Sequence, residues 1–91
     1  METESKCLYV NNLNEKISIE TLKRMLNMIF SQYGRVISIT AATGLKMKGQ
    51  AWVEFENEKD ATAALKGKQS FNFYDKELRI QYAKKTSSEV I

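Results

Sequence analysis

Residues 49–55, GQAWVEF, alternate small or apolar side chains with larger or polar ones at a period of two, the pattern of a strand with one dry face. Ala51, Val53 and Phe55 share the apolar side, whereas Trp52 falls in phase with Gln50 and Glu54 on the side expected to meet water. A second segment, KCLYVNN at 6–12, repeats the arrangement with Leu8 and Val10 inward and Cys7, Tyr9 and Asn11 outward. Two strands that each turn a ring away from the core restrict the chain to folds whose sheet keeps one uncovered face.

The other layer is helical. In LNEKISIETLKRMLNMIFSQYG, Leu22, Met25, Leu26, Ile29, Phe30 and Tyr33 draw one apolar stripe at helical spacing. Ser18 stands where an N-cap belongs, Ile17 and Leu22 where a hydrophobic staple would join them, and Gly34 just past the end, so the pattern predicts a helix over about 19–33. A second, shorter helix is read from NEKDATAALKG, with Asn57 at the cap, acidic residues in the first turn and Ala61, Ala64 and Leu65 on one side.

Between and after the helices lie further strands. RVISIT is rich in β-branched residues, with Ile37 and Ile39 expected inward. AATGLKMK is a loop with two lysines, KQSFNFYD has the turn residues of a small hairpin, and KELRIQYA alternates Leu78, Ile80 and Tyr82 against Arg79 and Gln81. The order strand, helix, strand, strand, helix, strand predicts an α+β, ferredoxin-like βαββαβ fold: a four-stranded antiparallel sheet with two helices on one face. We read residues 1–91 as one such domain, with a core over about 6–84 and a polar tail at 85–91 whose final apolar pair could open a third helix.

Composition narrows the chemistry. The chain has no histidine, the commonest general base and metal ligand, and no acidic cluster with a partner base, which argues against catalysis and against a metal or other cofactor. Cys7 is the single cysteine and is read as a small strand residue, METESK lacks the features of a secretory signal, and no apolar run approaches the roughly 20 residues of a membrane span. A reducing, intracellular setting away from membranes is the expectation. The net charge of +3 and a pI near 9.0 permit a nucleic-acid partner without requiring one.

Placement supplies the requirement. On the predicted sheet the outward residues Tyr9, Asn11, Gln50, Trp52, Arg79 and Gln81 share one surface, and unstacked bases lie down on aromatic rings in such a setting. Each stack supplies about 1–3 kcal/mol but accepts any base, so selectivity falls to the polar neighbours. A buried polar group facing the wrong base goes unpaired, at a cost of about 1–3 kcal/mol.

The hexamer LYVNNL and the octamer KGQAWVEF resemble the two signature strands of the RNA-recognition motif. Lys48, Gly49, Ala51, Trp52, Val53 and Phe55 fit the octamer, and Gln50 occupies a slot that usually holds an aromatic. With YVNNLNEKI, IFSQYG, LKMKGQA, FYDK and RIQYAK, the resemblance sharpens to the spliceosomal branch of that family found in the U1 and U2 particles, over about Leu8 to Lys84. It implies a nuclear protein, monomeric in isolation, that binds the hairpin loop of a small nuclear RNA, U2 first and U1 as a second candidate, in pre-mRNA splicing.

The resemblance also implies roles. Tyr9 and Trp52 correspond to stacking platforms and Gln50 to a polar contact; Asn11, Asn12, Glu15 and Lys16 to readers of base edges and phosphates. Leu45, Lys46, Met47 and Lys48 match the loop that protrudes through the RNA loop, and Arg79, Gln81 and Lys84 match contacts from the last strand and beyond.

There are departures from the family pattern. Lys48 stands where relatives have an arginine and cannot make its two-toothed hydrogen bond. Ser18 and Ile19 replace lysines, which lowers electrostatic steering; Ala41 leans toward the U2 binders. Relatives often carry a second such domain after a linker, and this sequence ends before one.

A competing reading is a protein-interaction module, since relatives of the U2 type dock a leucine-rich-repeat partner, A-prime, through the first helix. RNA binding would then depend on that partner. An acylphosphatase-like enzyme on the same fold lacks both an arginine-bearing phosphate cradle and an acid-base pair.

Overall fold

The computed structural model describes residues 5–41 and 49–83. The lysine-bearing loop segment Leu45, Lys46, Met47 and Lys48, the contact expected of Lys84, and the third helix expected in the tail all lie outside the described residues. The elements run β1 (Cys7–Asn11), α1 (Ile19–Phe30), β2 (Val36–Ala41), β3 (Ala51–Phe55), α2 (Glu58–Lys68), β4 (Asn72–Phe73), β5 (Lys76–Glu77) and β6 (Arg79–Tyr82). Four of the strands form an antiparallel sheet in the order β2-β3-β1-β6, while β4 and β5 make a separate hairpin. This is the expected βαββαβ fold, with the expected hairpin inserted before the last strand.

The core lies between the helices and one face of the sheet. Leu8, Val10, Val53 and Phe55 from β1 and β3 meet Leu22, Leu26, Ile29 and Phe30 of α1 and Ala61 and Ala64 of α2 in one buried cluster. Phe30 and Phe55 pack edge to face, with ring centroids 6.3 Å apart. Ser18 caps α1, accepting the Thr21 N–H at 3.3 Å, and Ile17 and Leu22 both join the core as a staple requires. Asn57 occupies the cap of α2, but its amide donates to the Asp60 carboxylate at 3.3 Å instead of accepting a backbone N–H.

Two expectations are corrected. Helix α1 ends at Phe30, three residues short of Tyr33, because the chain tightens there. The Ser31 hydroxyl donates to the Met28 carbonyl at 3.4 Å, and the Tyr33 N–H reaches the Phe30 carbonyl at 3.1 Å. Tyr33 still packs against the core, but from the turn, where its ring lies over Gly67 of α2. A Cβ at Gly67 would sit 2.2 Å from the Tyr33 hydroxyl oxygen, so only glycine admits the ring this closely.

The second correction is Ile37, which is 51% exposed and not inward. Val36 pairs with Phe55 and Ser38 with Glu54, so Ile37 is the extra residue of a β-bulge. The bulge shifts the phase of the strand, and Val36 and Ile39 fill the core in its place.

Strand β6 lies at the sheet edge, and the α2–β4 connection bonds to the backbone of Leu78 just before it and of Ile80 within it. The Ser70 N–H donates to the Leu78 carbonyl at 2.9 Å and the Leu78 N–H to the Phe71 carbonyl at 2.9 Å. At Ile80 a side chain takes over: the Gln69 carboxamide donates to the Ile80 carbonyl at 2.6 Å and accepts the Ile80 N–H at 2.8 Å. Its amide group thus completes the ladder as a peptide unit would. Replacing Gln69 by Ala leaves both Ile80 groups without a protein partner. We expect a loss of about 1–3 kcal/mol in urea unfolding and faster hydrogen exchange at the Ile80 amide.

Candidate nucleic-acid interface

The face of the sheet opposite the helices is built by the pairings of β1. Tyr9 stands opposite Trp52 on β3 and opposite Gln81 on β6, and Asn11 stands opposite Arg79. Thr40 of β2 pairs with Trp52, so one row across the sheet reads Thr40, Trp52, Tyr9, Gln81. The two rings are neighbours, with centroids 5.4 Å apart and planes tilted by 45°.

The aromatic pair is held from the side. The Tyr9 hydroxyl donates to Gln50 Oε1 at 2.5 Å, which fixes the edge of the phenol and uses the oxygen of the glutamine amide, leaving its Nε2 as the donor for another group. Gln50 lies immediately before β3, so the residue that replaces a third aromatic acts here as a clamp on the first.

Trp52 differs from expectation. It lies on the face away from the helices, as the alternation required, but it is only 8% exposed, in a small cluster with Cys7 and Ala83 against which Tyr9 packs. Cys7, fully buried, is the small strand residue it was read to be. Strand parity tells which side a ring takes and says nothing of what covers it there. Tyr9 beside it is half-buried and so keeps more of its surface in solvent than the indole does.

Around the rings the polar residues fall into two groups. Asn11, Arg79 and Gln81 line an open groove with Gln69, Ser70 and Glu77, and there Arg79 and Gln81 are exposed. Asn12, Glu15 and Lys16 lie in the connection between β1 and α1, with Glu15 and Lys16 exposed. This connection passes close to Gly49, whose carbonyl accepts the Leu13 N–H at 3.1 Å. Gly49 has φ of +80°, and a Cβ there would press on the Leu13 carbonyl oxygen at 3.2 Å, so the family glycine has a local structural reason.

The sequence reading did not single out Asn14, Gln69 or Glu77. Asn14 and Gln69 act through backbone groups distant in sequence, which leave no trace in a local pattern. Among the described residues no cluster of acidic, cysteine or histidine side chains is arranged to hold a metal, and the surface is a sheet face with polar margins in place of an enclosed pocket.

The model of the RNA recognition motif family matches residues 8–79. A U2 small nuclear ribonucleoprotein B'' of Oryza sativa subsp. indica is 47% identical over 83 residues, which are 91% of this chain and 36% of that protein. The U1 small nuclear ribonucleoprotein A of Drosophila melanogaster is 48% identical over 86 residues, 94% of this chain and 40% of its own length. The B'' protein of Arabidopsis thaliana is 46% identical over 83 residues, 91% of this chain and 36% of that protein. The chain thus spans less than half the length of these curated relatives.

The clamp on Tyr9 can be tested without RNA. Tyr9→Phe and Gln50→Leu should each lower unfolding free energy by about 0.5–1.5 kcal/mol in denaturant titrations. The double variant should lose less than the sum, since both remove the same hydrogen bond.

Proposed function

Since the chain belongs to the RNA recognition motif family, we propose that it is a binding module, not an enzyme, and reads the single-stranded hairpin loop of a small nuclear RNA in the nucleus. The U2 hairpin is the first candidate and the U1 hairpin the second, in keeping with relatives named for both particles. The observation that carries the reading is the adjacency of Tyr9 and Trp52 on the sheet face free of helices, flanked by Gln50, Gln81, Asn11 and Arg79.

In this reading one base stacks on Tyr9 and a second on Trp52 once the indole is uncovered. The open donors and acceptors of Gln50, Gln81, Asn11 and Arg79 select among bases, and an arginine fork suits a guanine edge. Asn12, Glu15 and Lys16 contact bases and phosphates beside the first strand. Leu45, Lys46, Met47 and Lys48 enter the RNA loop, and Lys84 adds a contact beyond β6. Phosphate neutralisation by these cations makes affinity fall with salt.

A second reading has its own observation. Met28 on α1 is 55% exposed and Ile37 on the adjoining β2 51% exposed, so the apolar side chains left in solvent include two on elements that pack together. A leucine-rich-repeat partner of the A-prime type docking through α1 would cover them, and RNA binding would strengthen in its presence.

Titrating the chain with U1 and U2 hairpins side by side, with and without the A-prime partner, separates the two readings. Tight binding by the chain alone supports the autonomous reader. Tyr9→Ala and Trp52→Ala should each weaken hairpin binding by about 1–3 kcal/mol, roughly 5- to 150-fold, measured at a temperature where circular dichroism shows the variant folded, since loss of the nearly buried indole also lowers stability. If both variants bind as the parent does, the sheet face is not the RNA site. Lys48→Arg should tighten binding by restoring the bidentate contact.

A further inference from the structure

The connection between β1 and α1 holds three residues of the proposed RNA site outside the sheet ladder, yet it is not left to wander. Leu13, 1% exposed, plugs it into the core. Asn12, at φ 63°, donates its amide to the Glu77 carbonyl at 2.8 Å. Asn14 does more: its Nδ2 donates to the Tyr74 carbonyl at 3.1 Å while its Oδ1 accepts the Lys16 N–H at 2.9 Å. Both long-range bonds end on the β4–β5 hairpin.

That hairpin is a firm anchor. Phe73 pairs with Lys76 across a two-residue turn, Tyr74 and Asp75, and both turn residues have positive φ (51° and 67°) although neither is glycine. A left-handed pair of this kind persists only where surrounding contacts hold it. Here Phe73 is buried in the core, and the Tyr74 ring stands on it edge to face at 4.7 Å. The Tyr74 carbonyl is therefore presented from a fixed position, and Asn14 transmits that position to the backbone of Lys16 two residues on.

We propose that the β4–β5 hairpin is a strut for the RNA-contacting loop, and that Asn14 is the positioning residue through which the hairpin sets Lys16 against an RNA phosphate. The inference rests on the RNA-binding reading above. Asn14 acts on Lys16 through its Oδ1, which accepts the Lys16 N–H, while one hydrogen of its Nδ2 is held by the Tyr74 carbonyl.

The test is a cycle of Asn14→Ala, Lys16→Ala and the double variant, titrated with the U2 hairpin at several salt concentrations. Asn14→Ala should reproduce the Lys16→Ala phenotype. Each should reduce the slope of log affinity against log salt by about 0.7, the value of one single-strand phosphate contact. The double variant should bind no more weakly than Lys16→Ala alone.

Hydrogen exchange at the Lys16 amide should rise in Asn14→Ala and stay unchanged in Lys16→Ala. Asn14→Ser keeps a short local acceptor for the Lys16 N–H but cannot reach Tyr74. It should lose the same slope and serves where the alanine variant does not fold. Additive losses, or a weaker affinity with an unaltered slope, overturn the strut while RNA binding by the parent stands. A parent chain that binds no hairpin, or one indifferent to Tyr9→Ala and Trp52→Ala, overturns the RNA reading and the strut with it.

Discussion

The pairing of β1 with β3, in the register that sets Tyr9 opposite Trp52, is the constraint on which the remaining structure depends. Side chains alternate with a period of two, so a slip of β1 by one residue would drive Tyr9 toward the helices and turn Leu8 and Val10 out to water, and a slip of β3 would do the same to Trp52 and Val53. Burial of those three against α1 and α2 therefore fixes the aromatic pair as firmly as any contact the rings make themselves. Core and candidate site are two sides of one register.

Much of this was legible in the sequence because it is local. The alternation of LYVNN and QAWVEF gave the faces of β1 and β3, and Ser18 with Ile17 and Leu22 gave the start of α1. What was not legible depends on events that break a period or span the chain. Ile37 left the core because a bulge inserted one residue, and nothing in RVISIT marks where β2 departs from strict pairing with β3. The Tyr33 end of α1 was misplaced because an apolar residue at helical spacing can also reach the core from a turn, if a glycine on another element makes room.

At the candidate site the same division holds. The sequence placed Tyr9, Trp52, Arg79 and Gln81 on one surface, but it could not tell that the indole would be nearly buried there, in a cluster with Cys7 and Ala83 against which the phenol packs. Nor could it separate the asparagines of NNLNEK, which look alike in a string. Asn11 lines the groove, whereas Asn12 and Asn14 donate amide hydrogens to carbonyls of the β4–β5 segment, and only the folded geometry tells these settings apart.

The Gln69 amide seated on Ile80 has a consequence for how copies of this molecule meet. An outer strand with unpaired peptide groups invites a neighbour to continue the sheet, and proteins crowded together on a common scaffold collide often. Gln69 occupies the berth that such a visiting strand would take. With the Ile80 rung already filled, a visiting strand would have to displace that side chain before it could pair there, which makes this border a poorer template for a shared β-structure.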